Sequence, residues 1–327
     1  MREFYVIKLH SLTPIHIGTG RDSYDTSSNT IHSDMLMGAL ASLWVQSNGA
    51  NGIKGFLESF QVSSCFPFFE DKYFLPKPMG RINLNYSNLD PIQQYELNKS
   101  IKKVRYITLH LWEKLINGES LEVQENHIKG IFLSDDKLDN GNVTKSEVEQ
   151  RVSVPAIYTE DPVPFYFERT FFHDNAGLYC FLETSDNTRK NEVISLFRLL
   201  GENGIGTDKN VGNGLFKVAE STIRVHVPAS EKSMLLSLYI PNEEEMDNLM
   251  LKPSKYELVL RGGYMAGSEK EEFRHLKKKS IYAFKEGSWF HSSSPKGKIV
   301  NLKPEWNDNE MHDVWRDGRA FYIPVKF

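Results

Sequence analysis

Four glycines in the segment Gly204 to Phe216, GIGTDKNVGNGLF, stand in a pattern that could hold a phosphate chain. Gly204-x-Gly206 is followed by five residues and then by Gly212-x-Gly214. Glycine accepts positive φ and lets main chain lie against another chain, so exposed amides can cradle phosphate oxygens while Lys209 adds charge. A dinucleotide fingerprint would need a glycine where Lys209 sits, and a P-loop needs Gly-Lys-Ser/Thr; neither is present. The plain alternative is a flexible connection between a helix and a strand. The doubled Gly-x-Gly tips the choice towards contact with an RNA backbone, over a site that includes Phe216.

A second group is His16-Ile-Gly18-Thr-Gly20-Arg21, followed by His32-Ser33-Asp34. A histidine near a cation could support metal-free RNA cleavage, in which a 2′-hydroxyl attacks the neighbouring phosphate. Ser33 and Asp34 read more simply as caps of a helix, and His16 as a satisfied polar residue at a strand end. A third group is Arg274 to Phe290, RHLKKKSIYAFKEGSWF, where Lys277, Lys278 and Lys279 precede Tyr282, Phe284, Trp289 and Phe290. Cations beside ring platforms suit a phosphate chain with unstacked bases. An edge strand guarded by lysines fits equally well. The ten histidines form no His-x-x-x-His pair and the two cysteines no Cys-x-x-Cys pair, so the sequence points to no metal site and no cofactor. Asp22 and Asp25 are the acids to test for catalysis, and nothing resembles a nucleophile elbow.

The elements that must position these groups follow from hydrophobic patterning. Residues 4–9 read as a strand, and a helix starts at Ser33 or Asp34 with Leu36, Leu40, Leu43 and Trp44 facing inward. Aromatic residues flank Glu70-Asp71-Lys72 in SSCFPFFEDKYFLPKP, which predicts a hairpin interrupted by prolines. The spacing of Ile92, Tyr95, Leu97, Ile101, Val104 and Ile107 predicts helix over 91–117, and 118–150 reads as a polar surface insertion. Strands 165–172 and 178–183 read as a hairpin through His173 to Gly177, before a helix over 188–200 and a strand over 215–225. That order is a split βαβ, ferredoxin-like unit. After a linker at 228–232 it partly repeats, with strand 234–240, helix 242–250, strands near 256–261 and 280–285, and a last strand at 319–326.

The expected fold class is therefore α+β, with two ferredoxin-like (RRM-like, βαββαβ) domains in tandem. The first spans 1–227, with an insertion at about 85–160 and the glycine-rich loop at 204–216; the second spans 233–327. The chain has 327 residues, a length suited to about two domains. A formal net charge of −4 argues against a free-standing non-specific nucleic-acid binder, so any grip on a polyanion must be local. No apolar run approaches the ~18 residues of a membrane span, and no signal peptide is apparent. The expected location is the cytoplasm, with no membrane partner.

IHIGTG, IHSDMLMGALASLW, SSCFPFFEDKYFLPKP, ERTFFHDNAGLYCFLE, the glycine loop, KSIYAFKEGSWF and HDVWRDGRAFYIPV occur in this order. Together they resemble the RAMP-superfamily subunit that caps the guide end of type III-A CRISPR (Csm) effectors. The resemblance implies a non-catalytic subunit that grips the crRNA 5′ tag. It also implies two protein partners, the large Palm-domain subunit that makes cyclic oligoadenylates and the backbone RAMP subunit of the Csm filament. Gly204 to Phe216 would be the tag-gripping loop, supported by His16 to Arg21. Asn213 departs from the superfamily, where a bulkier residue is common. Asp22 and Asp25 lie in a context unlike that of the backbone subunit's catalytic aspartate, so its activity is not carried over. Two alternatives stand beside this reading: a metal-independent CRISPR endoribonuclease using His16 or His32, and the equivalent type III-B (Cmr) subunit.

Overall fold

The computed structural model describes residues 1–18, 24–28, 30–86, 89–138, 143–154, 161–265, 267–268, 270–292, 294–305 and 310–327. It is a mixed α+β structure in which sheet predominates. The strand Arg2–His10 lies second from one edge of the larger sheet. It pairs antiparallel with Lys217–Val225 on one side and Ala176–Thr184 on the other. Ala176–Thr184 in turn pairs with Phe60–Val62 and Phe66–Phe69. Numbered along the chain, these strands run fourth, first, third, second across the sheet. The helices Ser33–Asn48 and Asn187–Asn203 form the two crossovers.

Period-two alternation assigns the side chains to two faces. Ile7, Leu9, Leu178, Cys180 and Leu182 pack under the helices with Leu36, Leu40, Val193 and Phe197. Phe4, Val6, Tyr179 and Phe181 point the other way and join a second core with Trp112, Leu236, Phe321 and Ile323. Both faces of the sheet are thus buried, one by helices and the other by the insertion and the C-terminal half.

In that half, Ser233–Leu235 pairs with Trp289–Phe290 and Tyr322–Pro324. The chain beyond it continues both contacts: the Ile240 amide donates to the Gly318 carbonyl (2.8 Å) and Tyr239 exchanges bonds with Phe284. Leu258–Arg261 pairs outside Ile281–Phe284. These strands form separate small sheets, but through the Tyr239–Phe284 bridge the segments follow one another as fourth, first, third, second, with one short helix, Glu243–Asn248, after the first strand. Among the described residues, no helix is long and apolar enough to cross a membrane.

Three expectations are corrected. Residues 91–117 are not one helix: Pro91–Lys103 and Leu109–Ile116 are separated by the strand Tyr106–Thr108. Ile92 and Tyr95 lie exposed, because that helix buries only its Leu97 and Ile101 side. Nor do the strands around 165–172 and 178–183 pair with each other. Val163–Phe172 pairs over ten residues with Thr144–Ser153, a strand that begins inside the stretch 118–150 read as a polar surface insertion, while Ala176–Thr184 enters the larger sheet. Finally, neither Ser33 nor Asp34 caps its helix; His32 is the N-cap residue, and its side chain caps no amide there.

Candidate nucleic-acid interface

Helix Asn187–Asn203, capped by Asp186, delivers the chain to the glycine loop. All four loop glycines have positive φ, between 73° and 99°. Three of them serve close approach of main chain to main chain. The Ile205 amide donates to the Gly214 carbonyl (3.0 Å), Gly214 to Pro14 (2.9 Å) and Thr207 to His16 (3.0 Å). A Cβ on Gly206 would sit 2.5 Å from the His16 carbonyl, one on Gly204 2.8 Å from that of Asn213, and one on Gly214 would run into Ile205. Gly212 differs: it faces open space at an exposed tip formed by Lys209, Asn210 and Val211. Phe216 is buried against Gly201. Of the loop, Thr207 and the tip at 209–212 are what solvent, or a nucleic acid, can reach.

The tip is braced by the two-stranded ribbon of Thr144–Ser153 and Val163–Phe172. Arg151 donates to the Asp208 carboxylate (2.5 Å), which also accepts from the Asn213 amide (3.0 Å), and its guanidinium lies 4.3 Å from the Phe167 ring centre. The His16 ring stands 4.6 Å from the same ring, and Tyr24, half of it exposed, stacks on Phe167 at 5.8 Å. His16 itself is buried, at 1% exposure. Its Nδ1 donates to the Glu168 carbonyl (2.7 Å), since a carbonyl can only accept, and among the described residues its buried Nε2 has no partner. Gly18 is exposed and bridges to Ser27. Gly20, Arg21 and Asp22 lie outside the described residues.

The lysine cluster sits elsewhere in the fold. Lys279 pairs with Glu305 (2.7 Å), and the Lys277 ammonium lies 5.4 Å from the ring of the exposed Tyr264. Lys278 turns towards a buried ion cluster at the seam between the halves. Asp34, its side chain 1% exposed, takes a bidentate pair from Arg261 (2.9 and 3.0 Å) and a further bond from Arg316. Burial would raise the Asp34 carboxyl, but the two guanidiniums outweigh it and hold it below its ordinary value. Burial, and then Arg316, push the Lys278 ammonium down to about 8.

His32 and Ser33 belong to the same seam. His32 Nδ1 meets the buried Glu286 carboxylate at 2.8 Å. The Ser33 hydroxyl accepts from the Leu238 amide (3.0 Å), and its amide donates to Ser64 (2.8 Å). Sequence reasoning missed Arg151, Phe167, Tyr24 and Asp208 beside the loop, and Arg261 and Arg316 around Asp34. The alternating aromatics Phe165 and Phe167 were a signal for the ribbon; nothing local marks the two arginines.

Profile comparison matches the RAMP superfamily to residues 8–217 and the CRISPR Csm4 C-terminal domain to residues 228–325. The CRISPR system Cms protein Csm4 of Thermococcus onnurineus (strain NA1) is 24% identical over 260 residues, spanning 76% of this chain and 80% of its own. Among solved structures, a Csm1-Csm4 cassette in complex with cA4 aligns with a TM-score of 0.64 at 18% identity, over 99% of this chain and 98% of that one. A Csm3-Csm4 subcomplex of the type III-A CRISPR-Cas interference complex aligns with a TM-score of 0.61 at 17% identity, over 98% and 99%. At these identities, the structural likenesses establish the fold.

Proposed function

The chain belongs to the RAMP superfamily, and we propose that it works as the Csm4 subunit of a type III-A CRISPR interference complex. In this role it grips the crRNA 5′ tag and joins the large Palm-domain subunit to the backbone RAMP subunits. The observation that carries the reading is the succession, in one chain, of a superfamily region and a Csm4 C-terminal region. Solved relatives pair Csm4 with Csm1 in one assembly and with Csm3 in another, which supports the bridging role.

We read residues 1–227 and 233–327 as tandem ferredoxin-like domains, supported by the strand order repeated in each half. The tag contact is placed at the exposed tip Lys209–Gly212, flanked by the half-exposed ring of Tyr24. A ring platform beside a cation and free main chain is what an unstacked strand needs. Phe216, Gly204 and Gly214 shape the loop from within. No chemistry is assigned to the chain, because His16 and His32 are both buried and held by the Glu168 carbonyl and the Glu286 carboxylate.

The test is co-expression with the neighbouring operon subunits, purification, and sequencing of bound RNA. We expect a guide with a repeat-derived 5′ end. Lys209→Glu combined with Tyr24→Ala should lower guide occupancy about tenfold or more, a loss of one charged contact and one stacked ring. Full occupancy in that variant removes the tip from the interface. Absence of RNA from the wild-type complex removes the whole reading.

A further inference from the structure

Where the two halves meet, three cations share one carboxylate. Both Asp34 oxygens are already engaged, by Arg261 and by Arg316, and Arg316 also donates to the Gly262 carbonyl (3.2 Å). Lys278 completes the group. Among the described residues no hydrogen-bond partner meets its ammonium, and the charges that act on it are Arg316, Arg261 and the single carboxylate of Asp34. Among the described residues, two positive charges are therefore left uncancelled in a partly desolvated place, an arrangement that is costly unless an anion completes it.

The cluster is open enough to admit one. The Arg261 side chain keeps 18% of its surface exposed, Lys278 is half-buried, and the bare backbone of Gly262-Gly263 lies alongside. A Cβ on Gly263, whose φ is +111°, would touch the Lys278 side chain at 3.6 Å, and one on Gly262 would press on Ser280 at 2.6 Å. Glycines there keep main chain and ammonium close together.

We propose that the Asp34, Arg261, Arg316 and Lys278 cluster is a phosphate-binding site that takes one backbone phosphate of the guide strand. The inference rests on the guide-binding reading above and adds a second point of contact to it. Guanidinium forks match the tetrahedral oxygens of a phosphodiester, and a nearby ammonium adds a point charge. The surroundings favour a strand over an isolated anion or an acidic side chain. Lys277 lies over the exposed Tyr264, and Tyr282, also exposed, stands on the adjoining strand. A nucleic acid would offer successive phosphates and bases to these groups. The depressed Lys278 ammonium agrees with a site that lacks its anion.

The experiment uses the chain purified with its partner subunits and reloaded with guide RNAs in which one tag phosphate at a time is replaced by an uncharged methylphosphonate. In the wild type, one position should lose about tenfold in affinity, and in Lys278→Gln the loss at that position should be smaller, since part of the phosphate's contact is already gone. The same variant should lower the salt dependence of binding by about one counterion, and Lys278→Arg should restore it. Without RNA, Lys278→Gln should melt higher than the wild type, since an uncancelled charge is removed; a purely structural lysine would melt lower. Guide binding that is normal but insensitive at every phosphate overturns the site and leaves the proposed function standing. So does a Lys278→Gln variant that loses a protein partner while holding RNA as before, which would assign the cluster to an acidic side chain of that partner. If the wild type takes no guide at all, both readings fall. Should Lys278→Gln not fold, the phosphate walk on the wild type decides alone, and the absence of any sensitive position overturns the proposal.

Discussion

A carboxylate in the first turn of a helix can bond backbone amides or neighbouring cations, and Asp34 is committed to the cations. Removing one partner of a buried ion pair leaves the other charge stranded, at a cost of about 3–5 kcal/mol. Asp34→Asn should therefore destabilise the protein by that amount at neutral pH, measured by urea unfolding. The pH dependence has a definite sign. The folded Asp34 carboxyl titrates below its ordinary 3.8, so its contribution is complete above 3.8 and is lost as pH falls through the folded value. The gap between wild type and Asp34→Asn should narrow as the medium is acidified; a constant gap would show that the carboxylate is not held by the arginines. Lys278 acts at the other end. Between about 8 and its ordinary 10.5 the unfolded chain binds the extra proton, so stability should rise with pH there, and Lys278→Gln should flatten the rise. None of this was legible in the sequence around position 34. The arginine partners stand 227 and 282 residues away, and Ser33-Asp34 ahead of an apolar stripe has the form of a cap.

The glycine loop was legible as an element but not in its division of labour. Periodicity cannot tell a glycine that faces a ligand from one that faces its own backbone, because both requirements delete the side chain. The structure separates them, with Gly204, Gly206 and Gly214 against main chain and Gly212 in open space. Gly212→Ala should cost only about 1–2 kcal/mol, the strain of a left-handed alanine. Gly214→Ala adds a collision with Ile205 and should cost clearly more, with faster hydrogen exchange at the Thr207 and Leu215 amides that tie the loop to residues 13–16. Equal melting temperatures for the two variants would mean that the loop is not docked. Gly206→Val is for the same reason a poor probe of RNA contact, since its side chain would strike the His16 carbonyl before it met any phosphate. Strand pairing was hidden differently. Val163–Phe172 and Ala176–Thr184 are separated by a short turn and look like a hairpin, yet the first pairs with Thr144–Ser153 and the second with Arg2–His10 and Phe66–Phe69. The polar Thr144–Ser153 strand, KSEVEQ at its centre, alternates too weakly to announce itself, because the ribbon it builds is half-exposed.

A sheet with two crossover helices normally covers one face with them, but here the second face carries Phe4, Val6, Phe181, Ile223 and Val225. Individual strands and helices on either side of the insertion could be read from patterning, though not the pairing of 165–172; which surface each half covers could not be read at all, since a doubly buried strand reads only as an apolar run. Phe321, Ile323 and Val325 from the last strand lie against that face, and Ser64, Met79 and Ser33 bond across the seam to Leu236, Gly287 and Leu238. The halves therefore share a core, although each matches its own family region. A core that spans both should unfold as one unit. Trp112, buried in the insertion, and Trp289, whose indole donates to the Met79 carbonyl (2.9 Å), report on the two sides. Single-tryptophan variants keeping one or the other should give superimposable denaturant transitions. Residues 1–227 alone should bind a hydrophobic dye and aggregate, and residues 233–327 added in trans should suppress both. Two separate transitions, or a soluble 1–227 fragment with native melting behaviour, would show two independent domains. The shared core matters for the proposed role, because a cluster assembled from Asp34 on one side and Arg261, Lys278 and Arg316 on the other keeps its geometry only while the halves stay locked. In a chain of net charge −4, that locking is what lets a few cations face one phosphate without a basic surface around them.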